Sequence, residues 1–152
     1  MPKKIPVSVL VLIYTPELEV LLIERADHPG FWQSVTGSQD AGETLRETAV
    51  REVLEETGIR IDADAVDDWQ VENRYEIYPF FLHRYPPGVT HNTEHVFGLR
   101  LPERRPVTLS PAEHVSYEWV PWQSAAERVR SWSNRDAIRL LPEMIRRFPM
   151  RS

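Results

Sequence analysis

Apolar residues dominate Val7 to Tyr14, where β-branched and aliphatic side chains run on nearly unbroken. Such a run predicts a central strand buried on both faces. Thr15-Pro16-Glu17 turns the chain, and Glu19 to Glu24 reads as the antiparallel partner across a short hairpin connection. The spacing then changes. Leu45, Ala49 and Val53 recur every four residues, which predicts a helix with one apolar stripe. Thr44 suits its N-cap, Glu47 completes a capping box, and Gly58 suits the left-handed position that ends it.

Further along, the pattern predicts a short strand at Ile59 to Ile61, an acidic loop at Asp62 to Asp68, and strands at Trp69 to Tyr78, Phe80 to Tyr85, Thr93 to Leu101 and Ser116 to Val120. Ser124 is placed to cap a helix over Ala125 to Arg130. After an interruption at Ser131-Trp132-Ser133-Asn134, an amphipathic helix is expected from about Arg135 to Phe148, kinked or split by Pro142. These elements amount to an α/β (α+β) arrangement: a mixed sheet, one central helix and a C-terminal helical piece, in one domain over residues 1–152.

Composition adds limits. Hydrophobic residues make up 41% and charged residues 27%, normal for a globular chain with a real core. The net charge of −5 argues against a nucleic-acid polymer as partner, because phosphate neutralisation needs excess cations. An acidic protein that handles polyphosphate must hold it with metal ions and a few placed cations. There are no cysteines, which removes thiolate chemistry and fits a cytoplasmic setting. Lys3-Lys4 ahead of the first apolar run faintly imitates a secretion signal. The run is short and no small-residue cleavage site follows, so a buried first strand is the better reading. No stretch is long enough to span a membrane.

The candidate chemistry lies on the central helix. Glu52, Glu55 and Glu56 stand at i, i+3 and i+4, crowding one side near the C-terminal end, where the helix dipole disfavours anions. Each such like-charge pair costs roughly 0.2–0.5 kcal/mol. One reading is a solvated acidic face; the other is a site for a hard divalent cation, since oxygen ligands of this kind suit Mg²⁺ or Mn²⁺.

Gly37, Glu43, Arg51, Glu52, Val53, Glu55, Glu56, Gly58 and Ile59 fill every fixed position of the pattern G-x5-E-x7-R-E-U-x-E-E-x-G-U, where U is a bulky aliphatic residue. On this stretch the chain resembles the Nudix hydrolases. The resemblance implies the Nudix α/β/α sandwich and Mg²⁺-dependent hydrolysis of a diphosphate linked to another group. It assigns Glu52 and Glu56 as metal ligands, and Glu55 as a weaker ligand or a base. Arg51 is expected to pair with Glu43 or another glutamate of the box, and Gly37 to let backbone approach the metal. A further carboxylate outside the box often completes such sites; Glu113 is the first choice and Glu94 the second, so the catalytic set is Glu52, Glu55, Glu56 and Glu113.

Three other stretches, Phe31 to Ser38, His83 to Glu94 and Ser131 to Arg135, are similar to the bacterial dihydroneopterin triphosphate diphosphatases within that family. That resemblance implies removal of pyrophosphate from a pterin triphosphate in folate biosynthesis. It implies a substrate-contact set of Lys4, Arg25, Thr36, Tyr75, Glu76, Ile77, Tyr78 and Ser131, with Trp132 in an aromatic wall. Lys4 and Arg25 would bind phosphate as cations, and Thr36 and Ser131 would offer hydroxyls. The alternatives are a Nudix enzyme acting on (d)NTPs such as dATP or oxidised dGTP, and a nucleotide-binding module without turnover. The residues leave oligomeric state and metal number open.

Overall fold

The computed structural model describes residues 3–149. Strand β1 (Val7–Tyr14) is its axis. It pairs in parallel with β6 (His91–Arg100) along its whole length, from Val7↔Thr93 to Tyr14↔Arg100. Its other edge is shared. The first half pairs with β4 (Val35–Ser38), and only Tyr14↔Val20 pairs with β2 (Glu19–Arg25). The expected β1–β2 hairpin is therefore a single rung. Most of β2 pairs instead with β7 (His114–Pro121), and its end pairs with β3 (Trp32–Gln33). Strand β5 (Val66–Glu76) lies antiparallel outside β6.

Because strand side chains alternate, β1 feeds two cores. Val9, Val11 and Ile13 pack with Ala49 and Val53 of helix α1 (Leu45–Thr57). Leu10, Leu12 and Tyr14 pack beneath α2 (Trp122–Arg128), α3 (Trp132–Arg139) and α4 (Leu141–Arg147). Strand β2 alternates in the same way, with Leu21 and Ile23 towards α1 and Val20 and Leu22 towards the other helices. At roughly 1.5–3 kcal/mol per buried large aliphatic side chain, these two strands tie both helical layers to one sheet. This is the expected mixed sheet between helices.

The caps of α1 are as the sequence predicts. The Thr44 hydroxyl accepts from the Glu47 amide, the Glu47 carboxylate accepts from the Thr44 amide, and Gly58 has φ 75°. Other elements differ. Phe80 to Tyr85 is not a strand; Pro79–Arg84 forms a 3₁₀ helix with Pro79 in its first turn. Proline lacks the ladder N–H and has a helical φ, and the rings gather into one cluster instead of alternating between faces. Tyr78 stacks on Phe80 at 5.2 Å and Phe80 on His28 at 4.2 Å.

Ile59 to Ile61 forms no strand, because Ile59 is drawn into the core beside the end of α1 and its amide is taken by the Thr57 hydroxyl. Strand β5 begins earlier than expected, at Val66, and carries a bulge between Asp68 and Val71, where Gln70 has φ 58°. Helix α2 starts at Trp122, which leaves Ser124 inside it and Pro121 at its N-cap. Ser131 caps α3 instead of interrupting a longer helix, and Pro142 in the first turn of α4 splits the C-terminal piece in two.

Candidate active site

Helix α1 presents its carboxylates in two different settings. Glu52 and Glu56 are buried, at 8% and 4% exposure, while the Glu55 side chain is about half exposed. Burial is what separates them chemically. It raises the pKa of Glu52, and it raises that of Glu56 well above the ordinary range. A hydrogen bond to Glu52 and its charge reinforce the shift at Glu56, so the two carboxyls favour sharing a proton. The Thr36 amide donates weakly to Glu56 Oε1 at 3.4 Å.

Arg51 organises the surrounding anions. Its guanidinium donates to Glu43 at 2.8 and 3.0 Å, to Glu52 at 2.7 Å, to Glu55 at 3.2 Å and to the Ser38 carbonyl at 2.9 Å. The expected Arg51–Glu43 pair is thus present. It holds Glu52 against the strand that carries Gly37. A Cβ built on Gly37 would lie 2.1 Å from the Glu52 carboxyl carbon, so the glycine makes room for that carboxylate. Besides the expected approach of backbone to a metal, the glycine thus admits Glu52 to the sheet.

The Arg51 hydrogen bond is the largest influence holding the Glu43 carboxyl down, to about 2 against an ordinary 4.5. A carboxylate depressed by folding stabilises the fold above its ordinary value and loses that contribution as pH falls through the folded one. Glu43→Gln is therefore expected to lower the thermal midpoint at neutral pH and to flatten the decline in stability between about pH 4.5 and 2. Melting curves across that window check it; equal slopes for the two proteins would contradict it.

Two cavities meet beside β4. The larger, about 630 Å³, contains Glu52, Glu55 and Glu56 together with Glu113 and His114. Glu113 adds its charge to the influences that raise Glu56. The smaller, about 280 Å³, is lined by Tyr75, Glu76, Ile77, Tyr78, Phe81, Trp132 and Ser131, with Asn92, Glu94 and Asn134 at its polar side. Lys4, Arg25, Gln33, Thr36, Gly37 and Arg84 line both. All eight residues of the expected substrate-contact set therefore border the smaller cavity, and the expected carboxylates other than Glu94 border the larger.

Glu94 does not join the carboxylate cleft. It is 3% exposed in the smaller cavity, where Tyr75 Oη approaches its Oε2 at 3.4 Å. Its place opposite Ser8 on β1 turns it to the face away from α1; of the two, Glu113 is the one that borders the carboxylate cleft. Thr36 has already committed its hydroxyl proton to the Val9 carbonyl at 2.9 Å, which leaves that oxygen able only to accept. Arg25 and Arg84 share Asp27, each at 2.8 Å, and both stack on Phe81. Burial, then the charge of Arg84, lowers the pKa of Lys4.

The sequence reading names Arg84, Asn92 and Asn134 only within the similar stretches and gives them no role at the site; all three line the smaller cavity. Asn134 binds Ser34 at both ends, its Oδ1 accepting from the backbone amide at 2.9 Å and its Nδ2 donating to the hydroxyl at 3.0 Å. That contact spans a hundred residues and has no local signal.

A family model described as the NUDIX domain matches residues 4–141. The dihydroneopterin triphosphate diphosphatase of Escherichia coli K12 is 46% identical over 138 residues, covering 89% of this chain and 91% of that protein. The Haemophilus influenzae protein of the same name is 39% identical over 135 residues, covering 87% and 84%. The solved structure of the E. coli dihydroneopterin triphosphate pyrophosphohydrolase superposes with a TM-score of 0.85 at 45% identity, covering 91% of this chain and 95% of that one.

Proposed function

The chain belongs to the Nudix hydrolases, and from that premise we propose that it converts 7,8-dihydroneopterin triphosphate to dihydroneopterin monophosphate and pyrophosphate. The observation that carries this reading is the junction of the two cavities. An aromatic-walled space for a fused ring opens, across Lys4, Arg25 and Thr36, into a cleft bordered by Glu52, Glu55, Glu56 and Glu113. A pterin with a triphosphate tail has that same order of parts. Similarity to the E. coli and H. influenzae proteins over most of the chain supports the pterin in particular.

Nudix hydrolases use divalent metal ions, and Mg²⁺ is the ion we assign here, with Mn²⁺ as a substitute. The donor set fits. Glu52 and Glu56 are oxygen ligands that share a proton they would both lose to a cation, and Mg²⁺ asks for only one or two carboxylates and keeps several waters. Among the described residues no group of three His, Cys, Asp or Glu forms a ready cage. Glu113 borders the same cleft and is the carboxylate outside the box that we assign as a further ligand. When bound, the ion neutralises phosphoryl oxygens and acidifies water.

The chain's own residues do the rest. Arg51 fixes Glu52 in place while keeping Glu55 at the exposed rim, where it serves as a further ligand or as a base. Lys4 and Arg25 take phosphate charge, Arg25 held by Asp27. Tyr75, Ile77, Tyr78 and Ser131 border the ring, with Glu76 at the exposed edge. Among the described residues no helix is long and apolar enough to cross a membrane, and we read the enzyme as a cytoplasmic one acting on a small molecule.

The test is pyrophosphate release with and without Mg²⁺ from dihydroneopterin triphosphate, dATP, dGTP and ADP-ribose. Mg²⁺-dependent pyrophosphate release, fastest from the pterin, is expected. A faster reaction with a deoxynucleotide would move the assignment to a (d)NTP pyrophosphatase, since a purine has the same fused-ring outline. Release of orthophosphate would contradict the cleavage point.

A further inference from the structure

Two oxygens in the ring cavity have no partner. Glu94 Oε1 and Asn92 Oδ1 are buried without a hydrogen bond, on side chains that are 3% and 2% exposed and line the space. An orphaned buried acceptor costs about 1–3 kcal/mol, more when charged, so two in one apolar cavity call for a compensating donor.

Their positions are held. Asn92 and Glu94 stand two residues apart on β6, on one face of the sheet. The Tyr75 hydroxyl sits between their heads, accepting from Asn92 Nδ2 at 3.0 Å and reaching Glu94 Oε2 at 3.4 Å. Asn92 Nδ2 also donates to the Ser8 hydroxyl at 2.7 Å, which fixes the amide with its oxygen turned away from these partners. The Ser133 hydroxyl, 2.9 Å from that of Ser131, moderates the rise in the Glu94 pKa. The Tyr75 hydroxyl is directed at Oε2, the Asn92 nitrogen is spent on Ser8 and Tyr75, and the two free atoms are both acceptors.

We propose that Glu94 and Asn92 are the specificity pair of this site, accepting hydrogen bonds from the 2-amino-4-oxo edge of the ring, whose N3–H and exocyclic NH₂ are adjacent donors. This rests on the pterin reading above and names the residues that enforce it. An edge with an acceptor in either place would face an acceptor, the arrangement that discriminates most strongly. Burial pushes the Glu94 carboxyl up to about 7, so Tyr75 and Ser133 alone compensate its charge poorly and a further donor pair would relieve it.

The experiment is a titration of the full chain, without metal, by 7,8-dihydroneopterin and by its 2-oxo (lumazine) analogue, neither of which carries phosphate. The wild type is expected to prefer the 2-amino compound by at least about tenfold, in line with hydrogen bonds to a charged group. Glu94→Gln is expected to weaken 2-amino binding by a similar factor and to bring the preference towards unity. Glu56→Gln should bind both compounds as the wild type does. Affinity for the 2-oxo compound and a cooperative melt, both kept in Glu94→Gln, would separate loss of the acceptor from loss of fold. Equal affinity of the wild type for the two compounds, or an unchanged preference in Glu94→Gln, overturns the pair. Failure of the pterin assignment would appear separately, as absence of pyrophosphate release from dihydroneopterin triphosphate by the wild type.

Discussion

Glu56→Gln is expected to lower kcat by at least ~1,000-fold, about 4 kcal/mol in barrier, while the protein stays folded and melts higher at neutral pH. The two effects come from one fact, that Glu56 is a carboxyl held almost without solvent beside another carboxyl. Folding raises its pKa, so its contribution to stability is favourable at low pH and becomes a penalty as pH rises above the ordinary carboxylate value. A glutamine has nearly the same shape. Its amide nitrogen can donate to Glu52, as the protonated acid does, and its oxygen can accept from Thr36. The penalty disappears and the hydrogen bonds remain. What the amide lacks is the negative charge that a divalent ion would draw out of the pair. Melting in EDTA and turnover at saturating Mg²⁺ measure the two halves independently. Activity close to wild type would reject Glu56 as a metal ligand; a large fall in melting temperature would reject the shared-proton account of the pair.

The part of this site that could be read from the chain is the part built within one segment. Thr44, Glu47 and Gly58 act on the helix they bound, and the spacing of Glu52, Glu55 and Glu56 puts them on neighbouring positions of a helix whatever the rest of the chain does. Which of the three is buried depends on what lies opposite. Strand β4 covers Glu52 and Glu56 and leaves Glu55 at the rim, and periodicity alone does not carry that distinction.

The ring cavity was less legible for the same reason. Glu94 belongs to it because β6 runs parallel to β1 and sets Glu94 beside Ser8, a long-range register with no mark in the local pattern. Residues with a family resemblance, such as Lys4 and Ser131, were placed at the cavity although they lie at opposite ends of the chain. Asn92 and Asn134 fall within the similar stretches, but nothing in the local pattern marks their burial. The aromatic run at Phe80 and Phe81 failed differently: a composition suited to strands was overruled by Pro79 and by the gain from gathering rings around His28 and Arg25.

Gly37→Ala separates the catalytic demand on the site from the structural one. The added methyl would meet Glu52 Cδ at 2.1 Å and both carboxylate oxygens at 2.3 and 2.4 Å, distances no packed structure tolerates. Gly37 is not among the residues with positive φ, so alanine fits its backbone and slightly restricts the unfolded chain, a gain of roughly 0.4–1 kcal/mol. The clash is with the tip of a flexible side chain, which can rotate towards the larger cavity. Stability is therefore expected to change by less than ~1 kcal/mol, within about 4 °C in melting temperature. Glu52, however, would leave both its place beside Glu56 and its 2.7 Å contact with Arg51. Displacement of a reacting-site group by about 1 Å can cost ~100-fold in rate, and the shift forced here is larger, so a loss of at least about 100-fold in kcat is expected. The apparent affinity for Mg²⁺ should fall with it. If melting temperature collapses instead, Glu52 is locked by Arg51 more firmly than the helix is held to the sheet. If turnover survives, the position that Gly37 secures for Glu52 is not the one the reaction uses.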